Sequence, residues 1–466
     1  MRTWVLLIFS ALLCACTTTP SSDTIDGILN VPENRKNANS RTVNLVYKVL
    51  RAKNVNSRKA PILFLQGGPG GATLFMEKFW KNHPLRNDRD IVLMDQRGTG
   101  ASEANCKDLG NAFIAILRQD LDQEGEYKAL RSILSDCKKT IEDKGVDLAG
   151  YKSKEIAADF EDLRKDLGYD KWNLFGGSYG SRLGLTIMRD FPKSVRSAVL
   201  TSIFAPESNL YKGSIQNFEN SLYSVLERCK KSKSCNSRYP DLKTRLSKSL
   251  KKLQTEPLRF PYKGKPFVLN SEDALLLLQQ ALYSRHTIAN IPSLIDAFEN
   301  DKIEPLIIAI EQFSLAVNTI NIPMSLSVIA YEEIPFNDDT DFDRYLKQQS
   351  EIGIRSAIVG SSAKISADWH SYRASDFENQ AVVSEIPTLM ASGGLDPVTP
   401  TSNAEESLKH LKNGYGIIFP DESHNILNPC FFEITKNFLN NPFHKPDLEC
   451  SSKRKAIEWN ILKAAQ

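Results

Sequence analysis

The stretch WNLFGGSYGS, residues 172–181, runs from an apolar segment into two glycines that flank Ser178. Its start, WNLF, has the composition of a short buried strand, and residues 181–191 carry apolar side chains at helical spacing. Ser178 therefore lies where a strand turns into a helix. A turn this tight strains its central residue and requires small neighbours, here Gly176 and Gly180. The alternative is a glycine-rich turn without chemistry, because this short pattern also arises by chance.

A serine at such a turn is a candidate nucleophile if a base and an orienting acid accompany it. Asp396 follows the strand-like run TLMASGG, and His424 follows the run GIIF. The order serine, acid, histidine is the one expected with this kind of turn. Both residues fall after strands, at the sheet edge where Ser178 is expected. We predict Ser178 as the nucleophile, Asp396 as the orienting acid and His424 as the base.

Two further segments are candidate donors to an oxyanion. The segment QGGPGG, residues 66–71, directly follows an apolar strand-like run. Gly67 or Gly68 can bring a bare amide close to a substrate carbonyl, since no side chain blocks the approach. The amide of Tyr179 is the second candidate, because it lies at the start of a helix. The alternative for QGGPGG is a simple turn.

Strand-like and helical segments alternate on both sides of Ser178. Strand-like runs precede residue 66, recur at IVLM and VRSAVLTS, and resume near Glu385. Residues 153–167 have the pattern of an amphipathic helix. Residues 204–379 are mainly helical, with few strand signals. The pattern predicts an α/β protein with a mostly parallel central sheet flanked by helices and an inserted helical block.

The charge balance does not indicate nucleic-acid binding, and we predict no nucleic-acid partner. The 466 residues contain 59 basic and 56 acidic side chains, a formal net charge of +3. The basic cluster at residues 228–252 is predicted to be a solvated helical face. Histidines and cysteines show no metal-ligand spacing, so we predict no metal site and no cofactor.

The N-terminal segment MRTWVLLIFSALLCAC, residues 1–16, has a basic start and an apolar run too short to span a bilayer. It predicts export, with residues 1–15 as the signal peptide. The end of this segment, LCAC, resembles the lipobox of bacterial lipoproteins, which implies acylation of Cys16 and a lipid anchor in the outer membrane. Residues 16–24 would form a polar tether. The alternative is an ordinary secretory signal and a soluble periplasmic protein.

Six further cysteines remain in the exported chain, and an even number favours disulfides. Six cysteines allow 15 pairings. They fall into three local pairs along the chain, so bridging between neighbours is the simplest prediction: Cys106 with Cys137, Cys229 with Cys235, and Cys430 with Cys450.

Several motifs together resemble the proline iminopeptidase and tripeptidyl aminopeptidase group of α/β-hydrolases. They are GILNVPENR, QGGPGG, DQRGTGAS, GGSYGS, LDPVTP and the segment from His424 to Cys450. The resemblance implies an α/β-hydrolase fold with core segments at residues 25–203 and 381–466 and a helical cap at residues 204–380. It also implies a serine peptidase that removes residues from free peptide N-termini.

The resemblance assigns the same roles as the residue patterns do: a triad of Ser178, Asp396 and His424, and an oxyanion hole of Gly67, Gly68 and Tyr179. It implies that Asp95 and Arg97 brace their loop. Proline-specific members of the group usually carry histidine at the position of Gln66 and tryptophan at that of Tyr179. The tyrosine is similar to the tripeptidyl type, so strict proline specificity is not implied.

An exopeptidase needs a group that receives the substrate ammonium. The segment SVIAYEEIPF, residues 327–336, is similar to an acidic segment in the cap of this group. Glu332, or else Glu333, is the predicted acceptor, and the alternative is a pair of solvated loop acids. Two other functions stay open: an esterase whose insert acts as a lipase-like lid, and a non-catalytic envelope lipoprotein that binds through the same fold.

Overall fold

The computed structural model describes residues 23–100, 104–106, 108–208, 213–337, 366, 368–452 and 456–461. The predicted signal peptide, Cys16 and most of the predicted tether lie outside the described residues, so their assignments stay predictions.

The strands of the described chain are β1 (Thr24–Pro32), β2 (Thr42–Leu50), β3 (Ile62–Leu65), β4 (Ile91–Met94), β5 (Trp172–Ser178), β6 (Val195–Ile203), β7 (Leu258–Tyr262), β8 (Lys265–Leu269), β9 (Thr388–Gly393) and β10 (Gly414–Phe419). Within the described ranges, eight of them form one sheet in the order β1-β2-β4-β3-β5-β6-β9-β10. The strands from β4 to β10 in this order pair in parallel, while β1, β2 and β4 pair antiparallel. The predicted mostly parallel sheet is confirmed.

The helices of the described chain are α1 (Glu77–Asn82), α2 (Leu109–Leu117), α3 (Gln123–Asp143), α4 (Ser153–Asp166), α5 (Tyr179–Asp190), α6 (Ser214–Lys231), α7 (Lys233–Arg238), α8 (Leu242–Thr255), α9 (Ser271–Ala281), α10 (Arg285–Ile288), α11 (Ile291–Asn300), α12 (Ile303–Asn318), α13 (Ile322–Glu332), α14 (Thr401–Leu408) and α15 (Pro429–Asn440). Among these described helices, each is too short or too polar to cross a membrane.

The central strands are buried along their whole length. Every residue of β3, β4 and β9 is buried, which explains why β3 and β4 are continuous apolar runs in the sequence. One apolar cluster includes Leu63 and Leu65 from β3, and a second includes Ile62 and Phe64 from the same strand. Because side chains alternate across a strand, these two clusters lie on opposite faces of the sheet.

The segment between β6 and β9 builds a separate apolar cluster from α6, α8, α9, α11 and α12. Two details differ from the sequence prediction. The segment also contains an antiparallel hairpin of β7 and β8, whose proline and lysine residues conceal the strand pattern. Helix α13, predicted as part of the cap, places Met324, Leu326, Val328 and Ala330 in the cluster of the core. This helix is therefore packed on the core.

Strand β1 also went unrecognised in the sequence. Its residues TIDGILNVP include aspartate, glycine, asparagine and proline, which are rare in strands. It pairs with β2 over nine residues at the edge of the sheet, where such residues are tolerated.

All three predicted disulfides are present. The Cα atoms lie 5.8 Å apart in Cys106–Cys137, 5.2 Å apart in Cys229–Cys235 and 5.7 Å apart in Cys430–Cys450. The last bridge ties the start of α15 to the C-terminal part of the described chain.

Replacing Cys430 and Cys450 together by serine is expected to lower the free energy of unfolding by about 2–5 kcal/mol, because the unfolded chain regains conformational freedom. Denaturant unfolding measures the change. The Cys229 and Cys235 double replacement opens a loop of 6 residues instead of 20, so the part of its loss that comes from chain entropy should be smaller. Free thiols at Cys430 and Cys450 in a non-reducing peptide map would contradict the pairing.

Candidate active site

Ser178 occupies a strained turn between strand β5 and helix α5. Its backbone angles are φ 57° and ψ −128°, a left-handed conformation that a residue with a side chain rarely adopts. The neighbouring glycines make the turn possible: a Cβ atom at Gly176 would overlap the carbonyl oxygen of Gly180, and one at Gly180 would overlap that of Leu65. Strain of about 1–3 kcal/mol that the fold maintains in this way is typical of functional residues. The half-buried Ser178 side chain thus has the geometry of a nucleophile elbow.

His424 and Asp396 form a buried pair. His424 Nδ1 lies 2.9 Å from Asp396 Oδ2, and the two residues are 8% and 4% exposed. Asp396 Oδ1 accepts hydrogen bonds from the backbone amides of Val398 (2.8 Å) and Thr399 (2.9 Å). The Thr399 hydroxyl donates to Oδ2 at 2.6 Å. The carboxylate is held at both oxygens, and the imidazole turns Nε2 away from it.

The charge state of Asp396 follows from these contacts. Burial by itself raises the pKa of the carboxyl, but the charge of His424 and the hydrogen bonds from His424 and Thr399 outweigh it and hold the pKa below its usual value. Asp396 is therefore an ionised acceptor that can orient His424 and stabilise its charged form.

Strand β6 connects the strand of Ser178 to the acid–histidine pair. Ser178 pairs with Ile203 at the end of β6, and the neighbouring Ser202 donates its hydroxyl to the carbonyl oxygen of His424. Asp396 follows β9, which is the next strand in the sheet, and His424 follows β10. All three predicted triad residues lie at the carboxyl edge of the parallel part of the sheet, after β5, β9 and β10, as the chain order predicts.

The two predicted oxyanion arms lie close to Ser178. A Cβ atom added at Gly67 would stand 3.2 Å from the Cβ atom of Ser178, so this backbone passes directly beside the serine. Gly68 is exposed, with φ 128°, a conformation that favours glycine. Tyr179 is the first residue of α5, and the first amides of a helix have no acceptor within the helix.

Asp95 and Arg97 act as the predicted braces. Asp95 Oδ1 accepts hydrogen bonds from the amides of Thr73 (2.6 Å) and Leu74 (3.0 Å), just after the glycine-rich loop. Arg97, 1% exposed, donates from Nε and Nη2 to the two oxygens of Asp159, each at 2.7 Å.

The family model described as alpha/beta hydrolase fold matches residues 60–427. The chain belongs to this α/β-hydrolase family. The match spans the strained serine, its acid–histidine pair and the whole insert.

Curated relatives of this α/β hydrolase match over part of its length. "Putative hydrolase YuaR" of Escherichia coli (strain K12) is 28% identical over 235 residues, 43% of this chain and 45% of that protein. "Proline iminopeptidase" of Xanthomonas citri is 30% identical over 149 residues, 32% of this chain and 34% of that protein. The chain thus spans less than half the length of either relative. A solved proline iminopeptidase structure from Mycobacterium smegmatis has a TM-score of 0.40 at 14% identity over 90% of this chain and 99% of that one, too low to support an argument.

The structure corrects the prediction for the acidic pair of this α/β hydrolase. Glu332 and Glu333, predicted to receive a substrate ammonium, are 4% and 2% exposed and contact Arg182 of helix α5. Arg182 donates from Nε to Glu332 at 2.8 Å and from Nη1 to Glu333 at 2.6 Å. Both oxygens of Glu332 also accept from Ser153, one from its amide and the other from its hydroxyl. Arg182 therefore supplies the positive charge that these two carboxylates were predicted to receive from a substrate amine.

Three side chains of the site were missed in the sequence. Thr399 stands three residues after Asp396 within LDPVTP, a spacing at which a turn residue can bond the carboxylate, so a local signal existed. Tyr283 of the insert packs its ring edge-on against His424, with centroids 5.1 Å apart, and burial raises its pKa to about 12. Neither Tyr283 nor Arg182 has a sequence signal, since each meets its partner across more than a hundred residues.

Proposed function

We propose that this α/β hydrolase is a serine peptidase that cleaves peptide bonds near free N-termini through an acyl-enzyme. The observation that carries the proposal is the strained Ser178 at the end of β5 beside the buried Asp396–His424 pair. A nucleophile, a base and an orienting acid at the same edge of the sheet form the constellation required for acyl transfer.

Each residue has one role in the proposed reaction. His424 accepts the proton of the Ser178 hydroxyl while the oxygen attacks the substrate carbonyl. The amides of Tyr179 and of the Gly67–Gly68 arm donate to the oxyanion that forms. His424 then gives its proton to the leaving amine, and the acyl-enzyme remains. A water molecule, activated by the same His424, releases the acyl product and restores Ser178, while Asp396 stays ionised throughout.

The substrate class rests on the relatives and on the motifs of the chain. One relative with a matching segment is named proline iminopeptidase. As the word is used, an iminopeptidase removes a residue from the free N-terminus of a peptide. Tyr179 follows the serine where proline-specific members of the group have tryptophan, so the proposal includes the release of dipeptides or tripeptides.

Acetylating the N-terminus of a peptide substrate is expected to abolish its cleavage, because an exopeptidase recognises the free chain end. The measurement compares acetylated and free aminoacyl, dipeptidyl and tripeptidyl amides at equal enzyme concentration. The series of free amides also shows how many residues leave per turnover. Equal cleavage of acetylated and free peptides would contradict the exopeptidase proposal and favour an endopeptidase or an esterase.

A further inference from the structure

Helix α13 contacts the glycine-rich arm of the proposed oxyanion hole and the helix α5, which begins with the other arm, Tyr179. At its N-terminal end, the amide of Asn321 donates to the carbonyl oxygen of Gly70 at 2.8 Å, and Ile320 forms a β-bridge with Gly71. These contacts hold the glycine-rich arm. At its C-terminal end, Glu332 contacts Arg182, which lies one turn after Tyr179 on α5.

A hydrogen-bonded chain connects the C-terminal end of α13 to Tyr179 itself. The Ser153 hydroxyl donates its single proton to Glu332 Oε2 at 2.7 Å. The 2.8 Å contact between the hydroxyls of Ser153 and Tyr179 is therefore donated by Tyr179. Burial and the charge of Glu332 raise the pKa of Tyr179, so its phenol keeps this proton. The chain thus ends on the residue whose amide forms the second arm.

The network is rigid because it is buried and charged. Tyr179 is not exposed at all, and Arg182 is 2% exposed. Burial alone lowers the pKa of Arg182, but Glu333 and Glu332 reverse the effect and raise it, so the guanidinium stays charged. Separating one partner of such a buried pair leaves an uncompensated charge, which is strongly unfavourable. Movement of α13 away from α5 is correspondingly unfavourable.

The buried apolar residues of α13 support the same conclusion. Met324, Leu326, Val328 and Ala330 belong to the cluster that packs on the central sheet, whereas α9, α11 and α12 form the separate cluster of the insert. Helix α13 is thus attached to the core along its length and at both ends.

We propose that α13 is a fixed strut that sets the position of the two oxyanion arms, and that Glu332, Arg182, Ser153 and the Tyr179 phenol are positioning residues for the Tyr179 amide. The proposal rests on the proposed function for the identity of the oxyanion hole. It gives Glu332 a role in the chemical step in place of amine recognition.

If α13 positions the oxyanion donors, loss of its contacts should lower kcat. Donors of an oxyanion hole act on the transition state, and loss of one typically lowers kcat by about 10²–10³-fold. Loosening one donor without removing it should give part of that loss. Tyr179→Phe keeps the backbone amide and removes only the hydroxyl, so we expect kcat to fall by about 5- to 50-fold with KM nearly unchanged.

Two substrates separate positioning from amine recognition: p-nitrophenyl acetate, which has no amine, and an unblocked tripeptidyl amide. Tyr179→Phe and Glu332→Gln should lower kcat on both. The matched control is Tyr151→Phe, since Tyr151 is 2% exposed and donates its hydroxyl to Glu33 at 2.6 Å, outside the network. It should keep the kcat of the wild type.

A transition-state analogue gives a readout without turnover. A peptidyl trifluoromethyl ketone forms a tetrahedral oxyanion on the serine, so its affinity should fall in parallel with kcat in both network variants and not in Tyr151→Phe. Wild-type kcat and wild-type analogue affinity in Tyr179→Phe would overturn the proposal. So would a Glu332→Gln defect confined to the KM of the free-amine substrate. If the wild type hydrolyses the ester but no peptide, the peptidase function is refuted. The role of α13 is then tested by the kcat values of the variants on the ester alone.

Discussion

Ser178→Ala is expected to lower turnover by about 10⁴- to 10⁶-fold while the protein stays folded. In the proposed reaction the serine oxygen forms the acyl-enzyme, and alanine offers no substitute for it. Alanine keeps the Cβ atom at φ 57°, so the strained backbone and the surrounding contacts stay as they are. Steady-state kinetics on an unblocked peptidyl amide measure the loss, and circular dichroism checks the fold.

Two further variants make this result specific. Ser197→Ala removes a buried hydroxyl that bonds Asn173 on the core strands, away from the elbow, and should keep its activity. Ser178→Gly should be as inactive as Ser178→Ala but more stable, because glycine accepts a positive φ without strain. Substantial turnover in either Ser178 variant would contradict the assignment of the nucleophile.

His424→Ala is expected to lower turnover by a similar factor, about 10⁴- to 10⁶-fold, because an unactivated serine hydroxyl is a weak nucleophile. The residues of such a triad act as one unit, so the Ser178→Ala/His424→Ala double variant should lose no more activity than either single variant. His444→Ala is the matched control, since His444 is exposed and bonds only locally to Asn441. More than a tenth of wild-type activity in His424→Ala would show that another group is the base.

The parts of the site that the sequence predicts are those set by local rules. The elbow at Ser178 combines an apolar strand, two glycines and a helix within ten residues, and each of these has its own signal. Asp396 and His424 follow from the same logic, because both stand directly after an apolar strand. The carboxyl ends of parallel strands lie at one edge of the sheet. Residues that follow such strands therefore lie at the same edge even when they are far apart in the chain.

The parts that the sequence does not predict depend on long-range contacts. Glu332 and Glu333 stand in an acidic segment that suits a substrate ammonium, and only the fold shows that Arg182 reaches them. An arginine within a helix is usually solvated, so its burial between two carboxylates has no local signal. Strand β1 is a similar case, because its pairing with β2 outweighs the poor strand propensity of its own residues.

The proposal that His424 activates Ser178 as a nucleophile is tested most directly by labelling the folded protein with a fluorophosphonate probe. Peptide mass spectrometry then identifies the labelled residue. The probe reacts with a serine only where a base and an oxyanion hole activate it. We expect one adduct, on Ser178, which the His424→Ala variant forms far more slowly. An unlabelled folded protein, or an adduct on another serine, would contradict this proposal.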